Sequence, residues 1–341
     1  MSVTTLPDLL PSASAYTIAI YATATNFFDL LQIAGKYQHQ PPLPFVSGSE
    51  FAGVVVALPT KTASRPKFAV GDKVFGAAQG GYASQVHALE ASIRAVPKGW
   101  DFLSAAGLMV TAPTSYAALV TRAGVKKGDW VLIHAAAGGV GLAAVQVAKA
   151  LGAVVIATAG TPRKLEVAKA FGADHVIDYG KEGWEGVVKG LSPGKKGVDV
   201  VFDPVGKVEA SLKCTAWNGR VVIVGFAGGE IEKVRTNRIL LKNVSLVSNI
   251  LLVQFDFCSA NLLSQVGLHW GMYAKEEPEM VEVVWKGLED MIDAGRFRGT
   301  VFTDKEFVGL EKVPEALEML GGRETWGKVV VKVPQEDSSK L

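Results

Sequence analysis

The seven residues Ala135-Ala136-Ala137-Gly138-Gly139-Val140-Gly141 are small apart from Val140. An apolar run, Trp130–Ile133, precedes them, and after them Leu142, Val145, Val147, Ala148 and Leu151 recur with helical spacing. The run follows Gly128-Asp129 and has the length and composition of a buried parallel strand. Strand, glycine turn and helix, in that order, let a pyrophosphate approach bare backbone N–H groups. The helix N-terminus adds unpaired donors and a partial positive charge. Many helices open on glycine, so the turn alone says little; the strand before it and the helix after it favour dinucleotide binding over a plain turn. Gly138, Gly139, Val140 and Gly141 are the first binding candidates.

The stretch about 20 residues past such a turn carries an acid when the ribose 2′-hydroxyl is to be bound. Here it reads Thr158-Ala159-Gly160-Thr161-Pro162-Arg163-Lys164, with two cations and no acid. A carboxylate repels a 2′-phosphate, whereas Arg163 and Lys164 can neutralise it, as NADPH requires. The alternative is that both cations decorate a helix start, although positive charge there opposes the helix dipole.

The elements that position these residues fall into two rhythms. Residues 16 to 95 read as short β segments between glycines and prolines: Tyr16–Ala22, Phe51–Leu58, Lys73–Phe75, Tyr82–His87 and Ser92–Ala95, with a helical connector over Asn26–Gly35. That spacing predicts a small, irregular barrel-like β domain. Thr111–Ala123 reads as a helix leading into the second domain. From Trp130 strands alternate with helices: Val154–Thr158, Val176–Asp178, Val198–Phe202 and Arg220–Val224, with crossovers over Lys164–Phe171 and Val208–Ala216. The alternation predicts an α/β domain with a parallel sheet covered on both faces. Helices over Met280–Ala294 and Leu310–Leu320 and a strand over Gly327–Val333 are assigned back to the first domain. The domains are then 1–112 with 272–341, and 113–271.

At 341 residues the chain is long enough for two cores, and with 20% charged residues and a net charge of +2 it carries no broad basic field for nucleic acid. Two cysteines, Cys214 and Cys258, make no disulfide framework and point to a reducing compartment. No apolar run reaches the length of a membrane span. The last three residues, Ser339-Lys340-Leu341, match the tripeptide read by the peroxisomal import receptor, so a peroxisomal location with that receptor as partner is expected ahead of a cytoplasmic one.

The chain resembles the medium-chain dehydrogenase/reductase superfamily, in its zinc-free quinone oxidoreductase (zeta-crystallin-like) branch. The resemblance is carried by NFFDLLQIAGKY (26–37), PFVSGSEFAGVV (44–55), GDKVFG (71–76), HAAAGGVG (134–141), FGADHVIDY (171–179), FDPVG (202–206), VGFAGG (224–229), HWGMY (269–273) and GKVVV (327–331). It implies a GroES-like β-rich catalytic domain, a Rossmann doubly wound parallel-sheet cofactor domain and a cleft between them. It also implies that Lys164, Tyr179 and Arg323 hold the 2′-phosphate and that Thr114 and Phe226 lie by the nicotinamide; Gly160 and Thr161, where the spacing from the glycine turn lands, are further cofactor candidates. Asn26 and Tyr37 match active-site positions: Asn26 to orient the ribose or a substrate carbonyl, Tyr37 to donate a hydrogen bond or proton. Asp29 reads as a buried acid tied to backbone donors. Asp203 and Gly206 fit a cofactor edge or a turn, and Tyr82, Trp270 and Tyr273 fit a pocket wall or the core.

Zinc members of the superfamily place a Cys in the 26–29 stretch and a His in a G-H-E segment. Here Asn26-Phe27-Phe28-Asp29 and Gly48-Ser49-Glu50 stand there, and no cysteine precedes Cys214. His39, His87, His134, His175 and His269 lack ligand spacing, and no metal is expected. Without a Lewis acid to stabilise an alkoxide, hydride addition to a conjugated acceptor is the easier chemistry, because charge spreads onto a remote oxygen. The expected activity is NADPH-dependent reduction of a quinone or an α,β-unsaturated carbonyl. The alternatives are an enoyl-thioester (enoyl-CoA) reductase and a non-catalytic, crystallin-like NADPH-binding protein. Against the family pattern the chain starts late, which leaves an unpaired edge in the first domain. Val247–Gln265 reads as 19 extra residues, a retained intron or a real insertion, at the expected homodimer seam.

Overall fold

A computed structural model describes residues 3–7, 9–37, 40–61, 65–229, 232–248 and 270–335. The chain divides into two compact units, Met1–Val110 with Arg298–Leu341, and Thr111–Phe297. Strands β1 (Tyr16–Ala24), β2 (Glu50–Ala57), β3 (Lys73–Ala77), β4 (Gln85–Ala88) and β5 (Ile93–Ala95) belong to the first unit. Strands β6 (Trp130–Ile133), β7 (Val154–Ala159), β8 (His175–Asp178), β9 (Val198–Asp203), β10 (Thr215–Ile223) and β11 (Ser245–Ser248) belong to the second, and β12 (Phe307–Val308) and β13 (Val330–Lys332) return to the first.

The first unit is built on β1. One side of β1 pairs antiparallel with β2; the other is shared by β4, opposite Tyr16–Ala19, and β13, opposite Ala22–Ala24. The path of the sheet is β12-β13-β1-β2-β3-β5. Tyr16, Ile18 and Ile20 enter a core with Phe51, Val55, Val74, Val86 and Ile93. On the other face Tyr21 packs against Phe102, ring centroids 4.8 Å apart and ring planes tilted by 31°. Both faces are covered, so all of β1 except Tyr21 is buried, and no polar–apolar alternation survives in its sequence. The β1–β2 register slips between Ile20 and Ala22, an irregularity that bends the strand as an open barrel requires.

The second unit carries a wholly parallel sheet in the order β11-β10-β9-β6-β7-β8. Counted from β6, this is the 3-2-1-4-5-6 order of dinucleotide-binding folds, with the order reversing between β6 and β9. The helix Gly139–Ala150 buries every residue from Gly141 to Ala148, which explains its nearly continuous apolar sequence.

Several elements depart from expectation. The helix over Val208–Ala216 ends at Ser211, because Thr215 pairs with Val198 and draws its neighbours into β10; the pairing with β9 shifts register between Thr215 and Arg220, around Asn218 at φ 60°. The strand over Tyr82–His87 is confined to β4, which leaves Tyr82 in the preceding loop. The helix from Thr111 is α-helical to Tyr116 and a π-helix over Ala117–Arg122. The helix Pro278–Asp293, assigned above to the first domain, clusters with the second unit. Its buried stripe Val284, Trp285, Leu288 and Met291 packs there, and a side chain at Gly287 would collide with the Tyr116 ring. Most of Val247–Gln265, His39, His269 and Ser339–Leu341 lie outside the described residues.

Candidate active site

In the first unit β1 runs out at Ala24, and Asn26 caps the helix Phe27–Ile33. Asp29, in the first turn, folds back so that Oδ2 accepts from the Asn26 backbone N–H at 2.8 Å, as in a capping box. The same carboxylate accepts from Tyr82 Oη at 2.6 Å and Ser49 Oγ at 3.2 Å. Asp29 is fully buried, and burial raises its pKa against the opposing pull of these donors. Burial, together with the Asp29 carboxylate, drives the Tyr82 phenol well above its ordinary pKa. Tyr82 is therefore a fixed donor that holds Asp29.

Asn26 itself faces a buried ion pair. Lys328 Nζ lies 2.6 Å from Glu50 Oε2, with both side chains almost wholly excluded from solvent. Asn26 Nδ2 donates to Glu50 Oε2 at 2.9 Å, and Lys328 Nζ donates to Asn26 Oδ1 at 2.8 Å. Lys328 also donates to the Thr25 carbonyl at 2.9 Å, and Glu50 Oε1 accepts from the Val110 backbone N–H at 2.7 Å. Tyr37 is half-buried and stacks on Phe28 at 5.4 Å between centroids. Burial, then the charge of Asp29, raises its pKa, so the phenol keeps its proton at neutral pH.

In the second unit the turn after β6 is shaped by close backbone packing. A methyl group on Gly141 would lie 2.7 Å from Ala136 Cα and collide with the Ala135 carbonyl. Gly141 therefore lets the helix N-terminus sit against the strand end, where its backbone N–H groups can hold a pyrophosphate. Gly141→Ala is expected to weaken dinucleotide binding about tenfold, as overpacking of 1–3 kcal/mol implies; a fluorescence titration checks it. Ser115 Oγ donates to the Val140 carbonyl at 2.8 Å, which ties the helix bearing the buried Thr114 to this turn.

At the end of β7, Thr161 Oγ1 caps the next helix by accepting from the Lys164 N–H at 3.4 Å. Arg163 turns toward Glu166, 3.8 Å away on the exposed surface. Tyr179, at the end of β8, adjoins Gly160: a Cβ there would touch its ring at 3.6 Å. Lys207 Nζ lies over the Tyr179 ring, 4.8 Å from its centroid. Asp203 has a turn-forming role, accepting from the backbone N–H groups of Val205, Gly206 and Lys207 at 2.8, 2.9 and 2.5 Å. The loop bearing Phe226 is pinned to that turn through Ala227 N–H to the Pro204 carbonyl.

His134 is a packing residue. Its Nδ1 lies 2.8 Å from Thr158 Oγ1 and its Nε2 2.8 Å from Ser211 Oγ, inside the core. Complete burial lowers its pKa from 6.5 to about 4. Between these values the unfolded chain takes up a proton that the folded chain refuses. Stability is then expected to fall by about 3 kcal/mol as pH drops from 6.5 to 4. Denaturant unfolding at stepped pH values checks this, and His134→Gln should lose that contribution.

The structure thus brings Asn26, Asp29, Ser49, Glu50, Tyr82 and Lys328 together in the first unit, and the glycine turn, Gly160, Thr161, Lys164 and Tyr179 along the strand ends of the second. Arg323 belongs to the first unit, on an exposed turn at φ 58°. Trp270 and Tyr273 stack on each other at 5.6 Å, and Tyr273 is buried. The sequence does not single out Glu50 and Lys328 as site residues. A lone acid opening the apolar run EFAGVVV and a lone lysine opening VVV were the signals available.

Residues 12–121 match the family model described as "Alcohol dehydrogenase GroES-like domain", and residues 139–261 match "Zinc-binding dehydrogenase". A quinone oxidoreductase-like protein 2 homolog of Nematostella vectensis is 36% identical over 327 residues, covering 94% of this chain and 82% of the relative. The chain belongs to the medium-chain dehydrogenase/reductase superfamily, in its quinone oxidoreductase branch. Among solved structures, a mycobacterial protein complexed with NADPH superimposes with a TM-score of 0.80 at 31% identity, covering 96% of this chain and 94% of that one. Escherichia coli quinone oxidoreductase complexed with NADPH gives a TM-score of 0.78 at 28% identity, covering 96% and 94%. The expected family and fold class, GroES-like plus Rossmann, hold, and the chain is an oxidoreductase of this type.

Proposed function

We propose that this chain catalyses zinc-independent hydride transfer from NADPH to a quinone or an α,β-unsaturated carbonyl. The observation that carries this reading is the state of the two stretches, 26–29 and 48–50, near which zinc members of the superfamily bear a Cys and a His. Asn26 is bonded on both sides by Glu50 and Lys328, and the Ser49 hydroxyl is given to Asp29. An amide and a hydroxyl are poor substitutes for thiolate and imidazole, and the Asn26 amide oxygen is already taken by the Lys328 ammonium at 2.8 Å. Among the described residues no group of three His, Cys, Asp or Glu side chains could hold a metal ion. The donor set does not fit zinc.

It does fit NADPH. The N-terminal N–H groups of the helix Gly139–Ala150 suit the pyrophosphate, and Lys164 and Tyr179, in the same unit, suit the 2′-phosphate. Bound NADPH supplies the hydride. Tyr37, kept protonated by burial, serves as donor to the acceptor oxygen on which negative charge builds, and Asn26 offers that oxygen an amide N–H. NADPH oxidation by the purified chain, against a quinone, a 2-alkenal and a 2-enoyl-CoA, tests the reading. Turnover of the quinone or alkenal is expected. Binding of NADPH without turnover of any acceptor overturns the reading, and preference for the thioester moves the substrate to enoyl-CoA.

A further inference from the structure

We infer that the buried Glu50–Lys328 pair is a positioning device that locks the Asn26 carboxamide as a hydrogen-bond donor toward the substrate. This rests on the reductase reading above. A carboxamide has two N–H donors on one side and an acceptor oxygen on the other. Here the oxygen meets an ammonium, which can only donate, and one N–H meets a carboxylate, which can only accept. A 180° flip sets N–H against ammonium and carbonyl against carboxylate, so the charged pair permits one orientation. The usual ambiguity between amide oxygen and nitrogen is removed by chemistry.

The pair has nothing left to offer a ligand on the cation side. All three Lys328 protons are spent, on Thr25 O, Asn26 Oδ1 and Glu50 Oε2. Glu50 is wholly buried, with Oε1 held by Val110 N–H. Asn26, 6% exposed, is the most exposed of the three, and its Nδ2 keeps one N–H beyond the bond to Glu50. The device is aimed by the sheet: Ala24 pairs with Glu50 on one side and Val330 on the other, so β2 and the chain entering β13 flank the end of β1. The Lys328 stem is guided past Gly107, where an added methyl would lie 2.8 Å from Lys328 Cβ. A buried ion pair is a weak source of stability compared with an apolar pair, which favours a positioning role for it.

The test uses the full-length chain and the double variant Glu50→Gln with Lys328→Met, which removes both charges together and leaves neither stranded. Expected are a tenfold or greater loss of kcat with the best acceptor, little change in KM for NADPH, and no further loss when the pair is removed from Asn26→Ala. An unchanged kcat in the folded double variant, or losses that multiply with Asn26→Ala, overturns the proposal. If the double variant does not fold, Gly107→Ala displaces the lysine stem with every charge retained, and a several-fold loss in kcat is expected; an unchanged kcat overturns the proposal. A readout independent of turnover is exchange of the Asn26 side-chain amide protons in asparagine-labelled protein. Strong protection of the proton held by Glu50, lost in the double or Gly107→Ala variant, is expected; equal protection overturns the lock. Wild-type protein that turns over no acceptor yet shows this protection defeats the reductase reading and leaves the lock standing.

Discussion

Lys164→Glu is expected to lower kcat/KM for NADPH about 100-fold while leaving that for NADH within a few-fold of wild type. A charge-assisted bond to phosphate is worth about 1.5–3 kcal/mol, and an acid in its place adds repulsion against the 2′-phosphate, so a loss near 2.7 kcal/mol follows. The residue is well placed for the role. It lies in the first turn of the helix after β7, with its N–H capped by Thr161, and the nearby Gly160 adjoins the Tyr179 ring. Arg163 turns its guanidinium toward Glu166 on an exposed surface. Paired NADPH and NADH kinetics decide the matter: equal losses with both cofactors mean that Lys164 serves the helix and not the phosphate.

Asp29→Ala is expected to destabilise the first unit by about 3 kcal/mol, and Asp29→Asn by about 1 kcal/mol. Alanine strands the buried Tyr82 hydroxyl and the Asn26 N–H, each an orphan donor worth about 1–3 kcal/mol; relief of a desolvated carboxylate offsets part of the loss. Ser49 is half-buried and can turn to water. Asparagine keeps one acceptor oxygen and removes the desolvation cost. Because burial raises the Asp29 pKa, the folded chain holds that proton more tightly than the unfolded chain. This contribution to stability is lost as pH rises from the ordinary carboxylate range through the raised value, and Asp29→Asn should remove it. Denaturant titrations across pH measure both effects.

The cofactor half was legible because its signals are local. An apolar run, a glycine turn and a helical repeat within one short stretch specify strand, turn and helix, and the cation pair at 163–164 lies one strand further on. The helix Pro278–Asp293 shows the limit of such signals. Its stripe announces a partner without saying which, and only the fit of Gly287 against Tyr116 settles the unit it joins. The crossover at Val208 is shorter than its sequence predicts, because the pairing of Thr215 with Val198 outweighs local helical preference.

The catalytic half was legible in its types and illegible in its wiring. Asn26 and Tyr37 stood out by resemblance, and Asp29 as a buried acid, although two of its three donors are side chains. The partners that fix Asn26 lie 24 and 302 residues away along the chain. Spacing cannot connect them; the antiparallel pairing of β1 with β2 and β13 does.

The central claim is hydride transfer to a conjugated acceptor without zinc. Its most direct test is the product and rate of NADPH-driven enone reduction by enzyme dialysed against a chelator and assayed for bound metal. Full activity in zinc-free protein is expected, with the carbon–carbon double bond reduced and the carbonyl kept. Activity that tracks bound zinc, or a product in which the carbonyl has become an alcohol, would contradict the account.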